Sequence, residues 1–213
     1  MPTTSQSRGP INRLLKQDDL ILLLAKTAYA RLYIPNSYVH AHASIKGYRN
    51  ILVNGELKIG LQAPGFVHKS EKTYVYVRGK LQVSGKVSIG QGCRIDVDEG
   101  GVCILDGCNF NGASDFVVRH KLSIGEGTTI SWGCQILDSD WHTLQYAGKK
   151  EHDPAIAIGK HVWIGSRVLI NKGVQLGDGC VVGSGSVVTR SFPAGVLIAG
   201  NPARIIRENV EWF

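Results

Sequence analysis

Apolar side chains recur every six residues through the C-terminal half of the chain. Ile158, Ile164, Ile170, Leu176, Val182 and Val188 keep this beat, and Ala194 continues the phase. Four residues after each comes a second apolar or small side chain: Val162, Val168, Val174, Cys180, Ser186, Phe192 and Ile198. A helix repeats its apolar face near 3.6 residues and a simple strand near two, so a period of six is neither. It suits a short strand followed by a tight bend. Gly159, Gly165, Asn171, Gly177, Gly183 and Gly195 follow the beat residues. They are predicted to form the bends, where a backbone needing positive φ would favour Gly or Asn. Three such strands make one triangular coil of about eighteen residues, and successive coils stack about 4.8 Å apart as parallel strands.

The beat extends upstream with interruptions. Val39, Ile45 and Ile51 open it, and Leu57 and Ile59 continue it out of phase. Residues 63–74 break it and read as a loop. Val77, Val83, Ile89 and Ile95 resume it, residues 96–103 slip, and Val118, Ile124, Ile130 and Ile136 restore it. One solenoid is therefore expected over residues 36–213, including a short C-terminal cap over 203–213 that is either a strand or a short helix. Residues 1–35 form an N-terminal extension: polar and disordered over 1–10, then helical from Ile11 to about Ile34, stopped by Pro35. The apolar run Leu20–Ala25 is too short to span a membrane. From Ile136 to Ile158 the beat skips 22 residues, which is not a multiple of six. An insertion is thus predicted at 138–155, and irregular excursions from a regular scaffold are where function tends to sit.

Composition narrows the picture. The 213 residues include 26 Gly and one Met, as a turn-rich β solenoid would. Five cysteines, Cys93, Cys103, Cys108, Cys134 and Cys180, form no C-x-x-C pair, and an odd number argues against a disulfide framework. Buried thiols in a reducing, cytoplasmic setting are expected, and the polar start MPTTSQSRGP does not read as a secretory signal. The formal net charge of +7 favours anionic partners. No dense Lys/Arg tract with interleaved aromatics points to nucleic acid.

The repeat IGKHVW-IGSRVL-INKGVQ-LGDGCV-VGSGSV resembles the hexapeptide-repeat acyltransferases, whose domain is an all-β, left-handed parallel β-helix. The resemblance implies an acetyl-CoA-dependent O-acetyltransferase acting on a sugar hydroxyl, in surface polysaccharide or lipopolysaccharide synthesis. It also implies a homotrimer with the site between prisms. The segment Asp138-Ser139-Asp140-Trp141-His142 is similar to the family's catalytic loop, with His142 in the place of the general base. The chemistry agrees, because a neutral imidazole titrates near working pH and can take the proton of a poorly nucleophilic hydroxyl. Asp138 or Asp140 is the candidate to orient the ring. Trp163 and Trp141 are implied as substrate contacts. Asn111 is implied as a contact to the acceptor sugar, with Asn109 as its rival. The segment VVGSGSVVTRSFPAGVLIAGNPARIIRE resembles the coenzyme A-binding end of these enzymes. By that match Ser166 and Ser184 lie along the pantetheine arm, and Thr189 and Arg190 near the diphosphate. Arg204 and Arg207 offer guanidinium groups to phosphate, which such groups bind well. Membrane contact is expected only through a lipid-linked acceptor or the N-terminal helix. His40-x-His42 would share a strand face but lacks a third ligand for a metal. Two other readings stand beside the transferase: a γ-type carbonic anhydrase, whose histidine spacing this chain does not match, and a non-catalytic scaffold.

Overall fold

A computed structural model describes residues 17–62, 67–68, 71–143, 145–148 and 152–213. The disorder expected for residues 1–10 and the first turns of the expected N-terminal helix lie outside these residues. The chain folds as a parallel β-helix with three faces. The first face stacks the leading half of Ile51–Ile59 and of Lys80–Ile89, then Val102–Asp106, Lys121–Ile124, Ile156–Ile158 and Gln175–Leu176. The second stacks Asn109–Phe110, Thr129–Ile130, Trp163–Ile164, Val181–Val182 and Val196–Gly200. The third stacks Ala43–Lys46, Thr73–Val77, Arg94–Val97, Asp115–Val118, Gln135–Leu137, Leu169–Ile170 and Val187–Val188. The long strands Ile51–Ile59 and Lys80–Ile89 run on through one corner, where Gly55 pairs with Gly85, and so join the first two faces into one sheet.

The periodic residues are the core. Ile158, Ile164, Ile170, Leu176, Val182 and Val188 are buried, as are Val162, Val168, Val174, Cys180, Ser186, Phe192 and Ile198. Upstream, Val77, Val83, Ile89, Ile95, Val118, Ile124, Ile130 and Ile136 are buried too. Three expectations need correction. Ala194 is exposed: the last coil is shortened, and Val196 turns inward in its place. The register slip at 96–103 reflects coils longer than eighteen residues. Phe116 sits over Ile95 and Ile136 over Phe116, spacings of 21 and 20, while Val182 over Ile164 keeps 18. The third correction concerns the glycines. Gly195 adopts positive φ as expected, but Gly159, Gly165, Asn171, Gly177 and Gly183 do not; in their turns that conformation falls further along, at His161, Arg167, Gly173, Gly179 and Gly185. Glycine stands just after the strand for a different reason, close approach. A methyl carbon on Gly165 would lie 2.7 Å from the Ser184 nitrogen, and one on Gly159 2.8 Å from the Asp178 nitrogen, in the coil above.

The helix Gln17–Arg31 packs on the first coil. Thr27 Oγ1 accepts from the Val39 amide at 3.0 Å, Lys26 Nζ donates to the Ala43 carbonyl at 2.8 Å, and Arg31 Nε donates to the Ser37 carbonyl at 3.0 Å. Among the described residues no helix is long and apolar enough to cross a membrane. At the other end the cap is a strand. Ala203–Glu208 turns back antiparallel on Val196–Gly200, covering the edge of the second face. The chain then crosses to the turn at His161. Trp212 stacks on that ring at 4.1 Å and 5°, its indole Nε1 donates to the His161 carbonyl at 2.8 Å, and its own carbonyl lies 2.9 Å from His161 Nε2.

All five cysteines are free and buried. Burial in apolar surroundings disfavours the thiolate, pushing Cys93 and Cys103 up to about 12 and Cys180 up to about 11, and raising Cys108 and Cys134. The folded protein is therefore expected to react with a thiol-specific disulfide reagent at least about 100-fold more slowly than the urea-unfolded chain. A thiol titrating at the free-cysteine rate in the folded protein would contradict this burial.

Candidate active site

The insertion leaves the prism between the third and first faces. Ile170 sits 34 residues after its partner Ile136, where Val188 follows Ile170 by 18, so the excursion adds 16 residues to one coil. Its root is fixed by Asp138. This carboxylate is buried, and its two oxygens accept from the Arg119 amide at 2.7 Å and the His120 amide at 2.8 Å, in the coil below. Each oxygen of the buried carboxylate thus has a main-chain N–H partner, the kind of charge-assisted bond that offsets its burial. Asp140 turns upward and pairs with Lys172 Nζ at 2.6 Å. Ser139 Oγ accepts from the Trp141 amide at 3.2 Å, and Trp141 takes the left-handed conformation at φ 56°. Its ring, half exposed, lies 6.0 Å from the Arg119 guanidinium. His142 follows and is exposed. On the far side of the loop, Gly173 N donates to the Pro154 carbonyl at 2.9 Å.

The aspartates thus hold main chain and a lysine; among the described residues neither is bonded to the His142 ring. What the sequence offered as ring-orienting groups the fold uses to place the loop. Lys172 and Arg119 were not anticipated. Lys172 carries a signal in retrospect, because it lies in the turn Asn171–Gly173 that the repeat puts directly above the loop.

The other expected site residues spread around the prism. Thr189 and Arg190 lie on the same edge as the loop, one coil above Lys172, with the Arg190 guanidinium 5.2 Å from the Phe192 ring. Ser166 and Ser184 stack on the next edge, between the second and third faces, with their hydroxyls 3.3 Å apart. Asn111 lies lower on that same edge. Its side-chain oxygen accepts from Asn109 Nδ2 at 3.2 Å and Gln62 Nε2 at 3.5 Å, so the two rival asparagines form one cluster. Trp163 stands on the second face between Thr129 and Val181, 44% exposed and 6.0 Å from Trp212. Arg204 and Arg207 project from the exposed cap strand, their guanidinium groups bonded only to neighbouring carbonyls of that strand among the described residues.

The chain is similar to known proteins both in its repeat and over as much as 90% of its length. Residues 155–190 match the model of the hexapeptide repeat of succinyl-transferase. An uncharacterized 24.8 kDa protein in the cps region of Klebsiella pneumoniae is 39% identical over 194 residues, covering 90% of this chain and 87% of that one. The galactoside O-acetyltransferase of Escherichia coli is 38% identical over 112 residues, covering 48% of this chain and 55% of its own. Nodulation protein L of Rhizobium meliloti is 46% identical over 88 residues, 40% of this chain and 48% of its own. This chain belongs to the hexapeptide-repeat acyltransferases. The left-handed parallel β-helix expected from the repeat is the fold of that family.

In this acyltransferase the implied site does not assemble within one chain. His142, Thr189 and Arg190 share one edge, Ser166, Ser184 and Asn111 a second, and Trp163 with the two cap arginines lies on the second face. The third face separates the first two groups. In its upper coils the outward side chains include two short apolar stacks, Leu137 over Val117 and Val187 over Leu169, all half-buried, while the residue beneath Leu169 is the exposed Gln135.

Proposed function

We propose that the protein is an acetyl-CoA-dependent O-acetyltransferase that acts on a sugar hydroxyl, with His142 as general base. The observation that carries it is the placement of His142. The fold clamps the root of an inserted loop, leaves its imidazole exposed, and sets Thr189 and Arg190 above it on the same edge. The imidazole takes the hydroxyl proton as that oxygen attacks the thioester carbonyl. The tetrahedral adduct then collapses, the C–S bond breaks, and the proton passes from the imidazolium to the departing thiolate. Acyl group, proton and thiol all balance, and no other reactant is needed. Transfer is direct: all five thiols are buried, so none is placed to carry the acyl group. Ser166, Ser184, Thr189, Arg190, Arg204 and Arg207 hold coenzyme A, and Trp141, Trp163 and Asn111 contact the acceptor.

Assembly as a homotrimer completes the site. Docking the upper part of the third face of one copy, where Leu169 and Val187 point outward, on a neighbour brings the Ser166–Ser184 edge of one chain to the His142 edge of the next. The similarity to galactoside O-acetyltransferase supports a sugar acceptor, and the location of a relative in a cps region is consistent with a polysaccharide role. Incubating the protein with acetyl-CoA and a panel of free, nucleotide-linked and lipid-linked sugars should release free thiol only when the right acceptor is present. Sedimentation equilibrium should give three times the chain mass. Absence of coenzyme A binding by calorimetry would leave a scaffold and remove the transferase.

A further inference from the structure

We propose that Arg119 and Lys172 are positioning residues, which clip the His142 loop to the coil below and the coil above; the catalytic half of this statement rests on His142 being the base. Asp138 anchors only the root of the loop. Beyond Leu137 the strand ladder ends, and residues 139–141 have no parallel neighbour to fix them. Two side-chain clips take over. Below, Arg119 Nε lies 3.1 Å from Asp98 Oδ2, and its guanidinium faces the Trp141 ring at the outer limit of a cation–π contact. Asp98, Arg119 and Trp141 thus rise coil by coil along one edge. Above, Lys172 takes Asp140 in the 2.6 Å ion pair. The residues on either side of each clip converge on Trp141, whose left-handed backbone turns the chain into His142.

The two clips are chemically unequal. Lys172 acts as a point charge and tolerates replacement by another cation. Arg119 needs both its charge, for Asp98, and its flat face, for Trp141. Exposed ion pairs contribute little to global stability. The consequence of losing them therefore lies in the position of the loop, and a displacement of about 1 Å at a reacting group costs on the order of 100-fold in rate.

The test uses Arg119→Ala and Lys172→Met in the full-length protein. Each should lower kcat about 10-fold, and the pair more, with KM for acetyl-CoA changed less than about twofold and the melting temperature nearly unmoved. Lys172→Arg should restore activity, and Arg119→Lys should restore it only in part. In a Trp141→Ala background, Arg119→Ala should cost little further, because the contact it acts through is already gone. A second measurement does not depend on activity. The loop contains Lys149 and Lys150, and tryptic cleavage there should run about 10-fold faster in the double variant than in the wild type. Unchanged cleavage overturns the clip, as does a kcat that stays at the wild-type value. Faster cleavage in a protein that shows no acetyl transfer keeps the clip and removes the role of His142.

Discussion

Replacing His142 by Ala is expected to lower kcat/KM for acetyl transfer by about 100- to 10,000-fold, the usual contribution of a positioned general base. The ring is exposed and holds no hydrogen bond among the described residues, so its removal should leave thermal stability unchanged within about 0.5 kcal/mol. Coenzyme A affinity should also persist, since the groups proposed to bind it lie on coils above the loop and on the neighbouring edge. The loss should therefore fall on kcat, the pattern expected when a group acts only in the transition state. Thiol release in the presence of acceptor measures the rate, and titration calorimetry measures the binding. A variant retaining more than about a tenth of the wild-type rate would move the base to another residue. His152, late in the same insertion, is then the first to examine.

The period of six was readable because each short strand turns one side chain inward at a fixed interval. Ile158 to Val188 follow the rule without exception. Coil length was not readable in the same way. Turns with extra residues, such as Asp98–Gly101, add to a coil without disturbing the apolar residues on either side. The turn glycines show a further limit. Sequence places Gly177 correctly at a corner, yet a glycine chosen for φ and one chosen for close approach look identical until the coil above is known. The same holds for the loop aspartates. Asp138 and Asp140 stood out as chemistry next to a histidine, but their partners are the main chain of Arg119 and His120 and the ammonium of Lys172, about twenty and thirty residues away in the chain. The Trp212 latch is aperiodic and had no signal. His161 sits at φ 53° where the coil above has Gly179, a strain that the stacked indole offsets.

Gly177→Ala is expected to destabilise the fold by about 3 kcal/mol or more, whereas Gly185→Ala should cost only about 1 kcal/mol. Gly177 has no need of positive φ, but its added methyl would overlap the Ala194 amide nitrogen and lie 2.7 Å from both the Ala194 Cα and the Pro193 carbonyl carbon. Those atoms are main chain, held by the stacking of Phe192 on Leu176 and by the Gly195 amide donating to the Asp178 carbonyl at 2.9 Å. They yield only if the two coils separate. Gly185 is the reverse case: its φ is 71°, and nothing lies within 4 Å of the new methyl, so the cost is backbone strain alone. For a chain of this size the first change corresponds to a fall in melting temperature of about 6–12 °C and the second to about 2–4 °C. The last coils also carry Thr189, Arg190 and the cap, so Gly177→Ala should weaken coenzyme A binding as well, while Gly185→Ala should do so far less. Calorimetric melting of the two variants side by side measures the difference. Equal losses would mean that the corner after each strand is governed by backbone conformation after all, and that close contact between coils does not explain why glycine recurs there.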